Sequence, residues 1–363
     1  MRFKILHIVL LISCLNVYLI GQDLHFSYYQ FTPLNVNPAN AGAFSGSYRV
    51  SGIYSDKQAA ITPRSFKTFT LSADAPIIRG IRKQDWIGVG VQADIVGSSG
   101  IHLNSSNDGS AAPGSTQTMT FVKAGLAYHL SLDKKQTNIL TFGVQYSSGN
   151  RSIEQLSQFD GRVKPQTDLP DKDIEELNKQ GDSDPNGKAV IGIKDWSSGI
   201  LFNARRKNSD LKLGIALEGI FTPVIGFIKN PKDTAVYEKY RGINFHGEYD
   251  MTINKRVNII PGFYYYNLGP ATAFNVNTHA TYHLDPEKDL KLTAGLGTRN
   301  LRAIIFYAGA IIKDIKVGFA FDMDISTAVL GSNNVGGFEL CASYMGKIYK
   351  KPKPKPVIFC PRL

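Results

Sequence analysis

A succession of fourteen segments with β-strand composition or alternating polarity is the feature that most constrains this chain. Each segment is roughly 8–14 residues long, which exceeds the usual globular strand and suits a tilted strand that crosses a membrane. In the second segment, Phe69 and Leu71 fall on one face and Thr70 falls on the other. The predicted strands are 43–56, 66–76, 85–97, 119–131, 138–149, 196–207, 210–221, 240–253, 256–267, 273–284, 289–299, 302–312, 314–324 and 336–347.

The connections between these segments fall into two classes that alternate along the chain. Short polar connections rich in Asn, Asp and Lys lie at 132–137, 208–209, 254–255, 285–288 and 313. Long connections lie at 98–118, 150–195, 222–239 and 325–335. An even strand number with short turns at one end and long loops at the other is typical of outer-membrane barrels, whereas a soluble sandwich has no reason to sort its connections in this way.

We therefore predict an all-β fold, an antiparallel transmembrane outer-membrane β-barrel of about 14 strands over residues 43–347. In such barrels the short turns face the periplasm, so both ends of the mature chain are expected there. The long loop 150–195 contains an acidic stretch, 169–179, in which Pro170 suits the first turn of a helix. This helix is either an external contact or lid, or simply a solvated loop helix.

The first 21 residues have the pattern of a secretory signal, with Arg2 and Lys4 before an apolar run that ends at Gly21. We predict cleavage between Gly21 and Gln22. In an alternative interpretation, residues 11–14 form a lipobox and Cys14 is lipidated, although the apolar run continues beyond this cysteine. No later stretch approaches the roughly 20 apolar residues that a membrane-spanning helix needs.

Residues 22–42, between the signal and the first strand, have neither a strand nor a helix pattern. They contain four aromatic residues, three asparagines, and the prolines Pro33 and Pro38. Since proline fixes φ and restricts the residue before it, we expect an irregular, extended lead-in. On the periplasmic side of a barrel it has two options: to enter the lumen as a plug, or to pack against the rim.

Net charge is +11, but the excess is concentrated at the C-terminus, where the last 17 residues hold six Lys or Arg and no Asp or Glu. A nucleic-acid-binding protein would carry its basic face on the folded part, so this class is excluded. Residues 348–363 alternate Lys with Pro and then end in an apolar tip. Alternating proline favours an extended spacer, which is either an interaction arm or a disordered terminus.

Motifs for catalysis, metals or nucleotides are not recognisable. His279 and His283 share one face of a strand but lie about 13 Å apart, too far for one metal ion. The Gly88/Gly90 and Gly295/Gly297 pairs repeat with a period of two inside strands, which indicates close strand packing or barrel curvature rather than a nucleotide loop. Cys341 and Cys360 are expected to be free thiols, and no cofactor is predicted.

The start of the mature chain resembles the PorP/SprF family of Bacteroidetes outer-membrane proteins, which belong to the type IX secretion and gliding apparatus. The residues that carry this resemblance are Gln22, Asp23, His25, Phe26, Ser27, Tyr29, Pro33, Leu34, Asn37, Pro38, Ala39, Ala41 and Gly42, then Gly46–Val50, Ser72–Pro76 and the closing Cys360–Arg362. Leu363 stands where the family is expected to have Phe, and residues 56–65 differ from the sequence that usually follows the first strand in this family.

This resemblance implies a barrel without enzymatic activity that supports export, delivery or surface anchoring of secreted proteins or adhesins. Its implied partners are outer-membrane lipid, periplasmic type IX components (among them peptidoglycan-associated ones) and secreted cargo. Two sets of residues are expected to bind partners. The N-terminal set is His25, Phe26, Tyr29, Pro33, Asn37 and Pro38, and the C-terminal set is Lys351, Lys353, Lys355, Phe359, Cys360, Pro361 and Arg362.

Two further hypotheses remain at this stage. The barrel could be a transporter for a hydrophobic small molecule, with residues 22–42 as a removable plug, as in the architecturally similar long-chain fatty-acid transporters. It could also be a barrel hydrolase, although nothing in the sequence pairs a serine with a histidine.

Overall fold

The computed structural model describes residues 26–57, 66–82, 84–97, 116–154, 188–223, 240–269, 271–285, 289–325 and 335–348. These residues form fourteen strands: Tyr48–Lys57 (β1), Phe66–Arg79 (β2), Trp86–Gly97 (β3), Thr116–Ser131 (β4), Asn138–Glu154 (β5), Lys188–Arg205 (β6), Ser209–Glu218 (β7), Gly242–Thr252 (β8), Val257–Leu268 (β9), Ala271–Asp285 (β10), Leu290–Arg299 (β11), Ala303–Ile312 (β12), Ile315–Asp324 (β13) and Val335–Gly346 (β14).

The strands close into one antiparallel barrel in which each pairs with its sequence neighbours and β1 pairs with β14. Tyr48 lies opposite Gly346 at one end of the closing seam, and Lys57 lies opposite Gly337 at the other. Closure gives every strand two ladder partners, so the sheet has no open edge along the seam. The predicted 14-stranded antiparallel barrel is confirmed.

The strand ends differ from prediction mainly at the longest hairpin. β5 runs to Glu154 instead of 149, and β6 begins at Lys188 instead of 196. The first strand begins at Tyr48, five residues later than predicted. The connections β9–β10 and β11–β12 are as tight as the short turns, so the second class of connections is not uniformly long. The predicted helix at 169–179 lies outside the described residues.

We call the end of the barrel that carries the connections β2–β3, β4–β5 and β6–β7 the short-turn end, and the opposite end the long-loop end. β1 starts, and β14 finishes, at the short-turn end. The backbone N–H of Ile348 donates to Ser47 Oγ (2.9 Å), so the chain leaves the barrel there on its way to the C-terminal tail.

Side-chain polarity is inverted relative to a soluble protein. On β2, Leu71 is 46% exposed on the outer surface, whereas Thr70 and Ser72 are buried on the inner one. Because a lipid-facing surface must be apolar while the lumen can be polar, this inversion is what a transmembrane barrel requires. The same alternation continues around the wall, for example with Val122, Phe306 and Leu340 outside.

Some aromatic side chains on the outer surface pack against each other across neighbouring strands. Tyr48 and Tyr344 pack edge to face at the short-turn end, with ring centroids 5.9 Å apart. Tyr146 and Trp196 lie together (5.2 Å) toward the long-loop end. In outer-membrane barrels, aromatic side chains on the outer surface are typical of the two membrane interfaces. Among the described helices, none is long and apolar enough to cross a bilayer.

The expectation of an extended lead-in is wrong. Residues 26–42 contain a 3-10 turn over Tyr29–Phe31, an α-helical turn over Pro33–Val36 and a second 3-10 turn over Pro38–Asn40. Pro33 and Pro38 each open a turn, where proline's fixed φ is favourable and its missing N–H costs nothing. The segment is therefore compact, and this shape lets it fill a cylinder.

Candidate functional site

Residues 26–42, which we call the lumen segment, lie inside the ring of strands. Their hydrogen-bond partners include side chains of β2, β4, β8, β10 and β14, which surround the barrel axis. The segment begins toward the long-loop end, where Ser27 contacts Glu339, and reaches the short-turn end at Gly42. It therefore crosses the lumen along the barrel and obstructs it.

Ser27 is held by groups from five neighbouring strands. Both oxygens of the Glu339 carboxylate accept backbone N–H groups, from Ser27 and from Tyr28, each at 2.8 Å. The Ser27 hydroxyl donates to Asp322 Oδ2 (2.8 Å) and accepts from Arg299 Nη1 (2.9 Å). The groups that grip this residue, which we call the Ser27 clasp, are Asn275, Arg299, Tyr307, Asp322 and Glu339.

The clasp combines buried charges of both signs. Arg299 pairs with Asp322 at 2.7 Å, and Lys57 lies 3.5 Å from Glu339. Both carboxylates are buried at 1% exposure. Buried ion pairs gain little net stability, but removing one partner leaves a costly unpaired charge. The clasp therefore fixes the position of Ser27 more than it stabilises the barrel.

An aromatic cluster lies beside the clasp. Phe26, Tyr28 and Phe31 pack against inward-facing apolar residues of β1, β12, β13 and β14. The Tyr28 ring stacks on His279 (centroids 5.2 Å apart, planes 3° apart). These ring contacts hold the start of the lumen segment against one side of the wall.

Asn35 anchors the segment to the opposite wall. Its side-chain oxygen accepts from Lys123 Nζ (2.6 Å) and from Gln92 Nε2. Lys123 also pairs with Asp94 at 3.0 Å, and this carboxylate is fully buried. The lysine charge is thus shared between a wall carboxylate and the segment.

Asn37 occupies the middle of the lumen. Its Nδ2 donates to the backbone carbonyls of Ile200 (3.0 Å) and Ile215 (3.1 Å) and lies 3.2 Å from His246 Nε2. Its Oδ1 accepts the backbone N–H of Ala39 (2.9 Å), which caps the second 3-10 turn. One side chain therefore joins the local turn to β6, β7 and β8.

The segment leaves the lumen beside β2, β3 and β4. His129 Nε2 donates to Ala41 O (2.8 Å), and the Gly42 N–H donates to Asp74 Oδ2 (2.7 Å). Trp86 Nε1 donates to Gly42 O (3.2 Å). Gly42 has φ +71°, a conformation that side chains disfavour, and it lets the chain turn out toward β1.

Wall glycines create the room for this backbone. A Cβ on Gly88 would overlap Ala41 O, and a Cβ on Gly143 would overlap the backbone of Ala39. A Cβ on Gly318 would lie 2.7 Å from the Tyr28 ring and 3.0 Å from Phe31. The Gly88/Gly90 repeat thus reflects close approach of the lumen segment, rather than close packing between strands.

A cavity of about 730 Å3 remains between the lumen segment and the short-turn end. Its wall includes Lys212, Glu248 and Asp250 together with the ring of Trp86. Among the described residues, no group of three or more His, Cys, Asp or Glu could hold a metal ion.

The structure brings together only part of the predicted N-terminal set. Phe26, Tyr29, Pro33, Asn37 and Pro38 lie in the lumen and contact the wall of their own chain. His25 and the whole C-terminal set (Lys351, Lys353, Lys355, Phe359, Cys360, Pro361 and Arg362) lie outside the described residues.

Sequence reasoning missed Ser27 and Asn35 as anchors, and it missed every wall residue that holds them. The available signal was the polar face of the strands. Asp74, Gln92 and Asp322 all fall at inward positions of their strands and are buried against the lumen. Such a pattern identifies a polar lumen, but it cannot say which of its residues meet the segment.

The chain matches the family model described as "Type IX secretion system membrane protein PorP/SprF" over residues 19–344. No curated protein matches it.

Solved structures that resemble this one share little sequence with it. The toluene transporter TodX of P. putida is 11% identical, with a TM-score of 0.49 over 87% of this chain and 93% of that chain. The toluene transporter TbuX of Ralstonia pickettii is 10% identical, with a TM-score of 0.47 over 87% and 93%. CdiB from Escherichia coli is 9% identical, with a TM-score of 0.45 over 82% and 63%.

The family match spans the barrel from the lumen segment into β14, the strand that closes it. The chain therefore belongs to the PorP/SprF family of type IX secretion system membrane proteins.

Proposed function

We propose that this barrel is a non-enzymatic outer-membrane component of the type IX secretion system that supports export, delivery or surface anchoring of secreted proteins or adhesins. The family match supports the assignment to the type IX secretion system. The filled lumen supports a supporting role, rather than that of an open export channel. A barrel whose lumen is crossed by its own chain is not an open conduit for a polypeptide. Its contacts with machinery and cargo are then made at its rims and tail.

We place the short turns, and with them the C-terminal tail, in the periplasm. Short periplasmic turns are the rule in outer-membrane barrels, and the chain leaves at that end beside Ser47. An arm of alternating Lys and Pro is stiff and extends about 3.1 Å per residue, so it can reach partners away from the membrane. Periplasmic type IX components, including peptidoglycan-associated ones, are the proposed partners of Lys351, Lys353 and Lys355.

The predicted N-terminal set of partner-binding residues has a different role. Phe26, Tyr29, Pro33, Asn37 and Pro38 contact the barrel wall of the same chain, and we propose the same role for His25. They keep the lumen closed while the rims serve export, so that cargo traffic does not breach the outer membrane.

The test is to delete residues 350–363 and measure cargo on the cell surface. We expect surface cargo to be lost while the barrel stays folded, as judged by its heat-modifiable mobility in gels. A matched variant with Lys351, Lys353 and Lys355 changed to Gln keeps the length and the prolines, and it isolates the role of charge. Normal surface display by the deletion variant would refute the tail contact.

The second candidate is a plugged transporter for hydrophobic small molecules. The observation in its favour is the cavity of about 730 Å3 below the lumen segment. Against it, the cavity wall carries Lys212, Glu248 and Asp250, which a hydrophobic solute would have to pass. Uptake of a hydrophobic probe by vesicles that contain the purified protein, above that of empty vesicles, would favour this candidate.

A further inference from the structure

Three inward-facing histidines, one each on β4, β8 and β10, touch the lumen segment, and all three are buried: His129, His246 and His279. We propose that proton uptake by His246 releases the middle of the lumen segment, so that the barrel becomes permeable at acidic pH. This inference goes beyond the role in secretion and does not depend on the tail.

The orientation of the Asn37 amide is fixed by backbone groups. Its Nδ2 faces two carbonyl oxygens, of Ile200 and Ile215, and its Oδ1 faces the N–H of Ala39. Turning the amide over would set Oδ1 against both carbonyls and Nδ2 against an N–H. Asn37 must therefore present its donor side to the wall.

The hydrogen-bond role of His246 follows from this orientation. Its Nε2 lies 3.2 Å from Asn37 Nδ2, whose two hydrogens are shared among Nε2 and the two carbonyl oxygens. A ring without a proton on Nε2 is therefore the form that sets no N–H against the amide hydrogens. A proton on Nε2 would set two donors against each other. The contact that joins the segment to β8 would then become repulsive.

The charged groups around His246 add to this effect. On β7, Gly214 lies directly opposite His246, and Lys212 is the charged residue two positions along the same strand. Glu248, two residues along β8, lies opposite Lys212 and offsets part of its charge. β9 presents the neutral Tyr264 opposite His246, and Asn37 is uncharged.

The other two histidines are less suited to this role. His129 donates to Ala41 O through Nε2 and would keep that bond when protonated. His279 lies 3.3 Å from Gln30 Nε2, which also donates to the Asn277 side chain (3.4 Å). No backbone group fixes the Gln30 amide, so it can turn, together with the Asn277 side chain, to accept from a protonated ring. Only at His246 does the backbone forbid such an adjustment.

The direction of the pH effect follows from proton linkage. The seated segment requires neutral His246, whereas in the released state this histidine can take up a proton near its ordinary pKa of about 6.5. Seating is therefore favoured above about pH 6.5 and weakens below it, by up to about tenfold in the seated-to-released ratio per pH unit.

The experiment is single-channel conductance of the purified full-length protein in planar bilayers at about pH 7.5 and about pH 5. We expect wild type to be closed at the higher pH and to open up to about thirtyfold more often at the lower pH. In His246→Gln, the Gln oxygen can accept from Asn37 at any pH, so this variant should stay closed at both. His283→Gln is the matched control, because His283 lies inward on β10 with no described contact to the segment, and it should open like wild type.

Hydrogen–deuterium exchange provides a second readout that does not depend on current. Exchange of the peptide that covers residues 33–41 should accelerate at low pH in wild type, after correction for intrinsic rates, and stay slow in His246→Gln. Equal conductance of wild type at both pH values would overturn the proposal. So would acid opening of a folded His246→Gln barrel. Neither result bears on the surface display of cargo, which tests the secretion role separately.

Discussion

Gly199 on β6 and Asn37 in the lumen segment approach each other so closely that a Cβ on Gly199 would overlap Asn37 Oδ1. The same amide bonds Ile200 O on this strand, so wall and segment are in contact through backbone as well as side chain. Gly214 on the neighbouring strand is similar, since its Cβ would meet the His246 ring and Asn37 Nδ2. The wall beside Asn37 thus has room for the Asn37 amide but not for a further side-chain carbon at either glycine.

Substituting Gly199 by valine should therefore unseat the segment. We expect Gly199→Val to raise ion conductance and to lower the free energy of unfolding by about 1–3 kcal/mol, the usual cost of overpacking. Gly192→Ala is the matched control on the same strand, because its Cβ would come no closer than 3.7 Å to a neighbouring atom. If the ion conductance of Gly199→Val were as low as that of wild type, seating of the lumen segment would not depend on the close contact between Gly199 and Asn37.

The Ser27 clasp gives a second prediction. Glu339→Gln replaces one of the two acceptor oxygens by a donor that faces a backbone N–H, and it removes the negative charge that lies 3.5 Å from Lys57 Nζ. We expect a loss of about 2–4 kcal/mol in urea-induced unfolding.

Asp314→Asn is the control for this substitution. It alters an exposed pair with Lys347 at the short-turn end, and exposed pairs contribute little. A Glu339→Gln barrel as stable as Asp314→Asn would show that the contacts of the Glu339 carboxylate do not contribute to the free energy of unfolding.

Truncation of residues 22–40 tests closure of the lumen directly. The strand ladder does not use these residues, so the barrel should still fold, and it should show a stable open current in bilayers. Deletion of 350–363, which leaves residues 22–42 in place, is the comparison, and this variant should remain closed. A truncated barrel that folds and carries no current would mean that other groups close the pore.

The turn between β4 and β5 gives a prediction for acidic pH. The Asp133 carboxylate accepts the N–H groups of Asn138, Thr137 and Lys135, and the bond from Asn138 is the main reason that its pKa is lowered. A lowered pKa means that this stabilisation is present above the unfolded value of about 3.9 and is lost as pH falls below it.

Asp133→Asn keeps an acceptor oxygen but cannot titrate. Its thermal midpoint should therefore change less than that of wild type between about pH 5 and about pH 3. A parallel change in the two proteins would exclude Asp133 as a source of acid sensitivity.

Strand number and order were accessible from the sequence, because a period of two and polar turns such as 132–137 are local signals. The ends of β5 and β6 were not. Residues 188–195 lack a clear alternation of apolar and polar positions, and their pairing with β5 holds them as strand. Local propensity alone gave no reason to extend either strand there.

The conformation of the lead-in was the main error. Its two prolines indicated extended chain, yet each opens a helical turn because the following carbonyls and side chains find partners inside the barrel. Asn37, for example, caps a turn and bonds two wall strands at once. A sequence pattern carries no information about such partners when they lie more than 160 residues away.

The sequence by itself determined that this chain forms a closed barrel with an apolar exterior, since alternation and turn chemistry act over a few residues. Only the tertiary structure decided what occupies the lumen. Ser27 and Glu339 are separated by 312 positions and meet because closure of β1 onto β14 sets the width of the cylinder. That width, together with the missing side chains at Gly88, Gly143 and Gly199, admits one compact segment, and the segment found there is the chain's own.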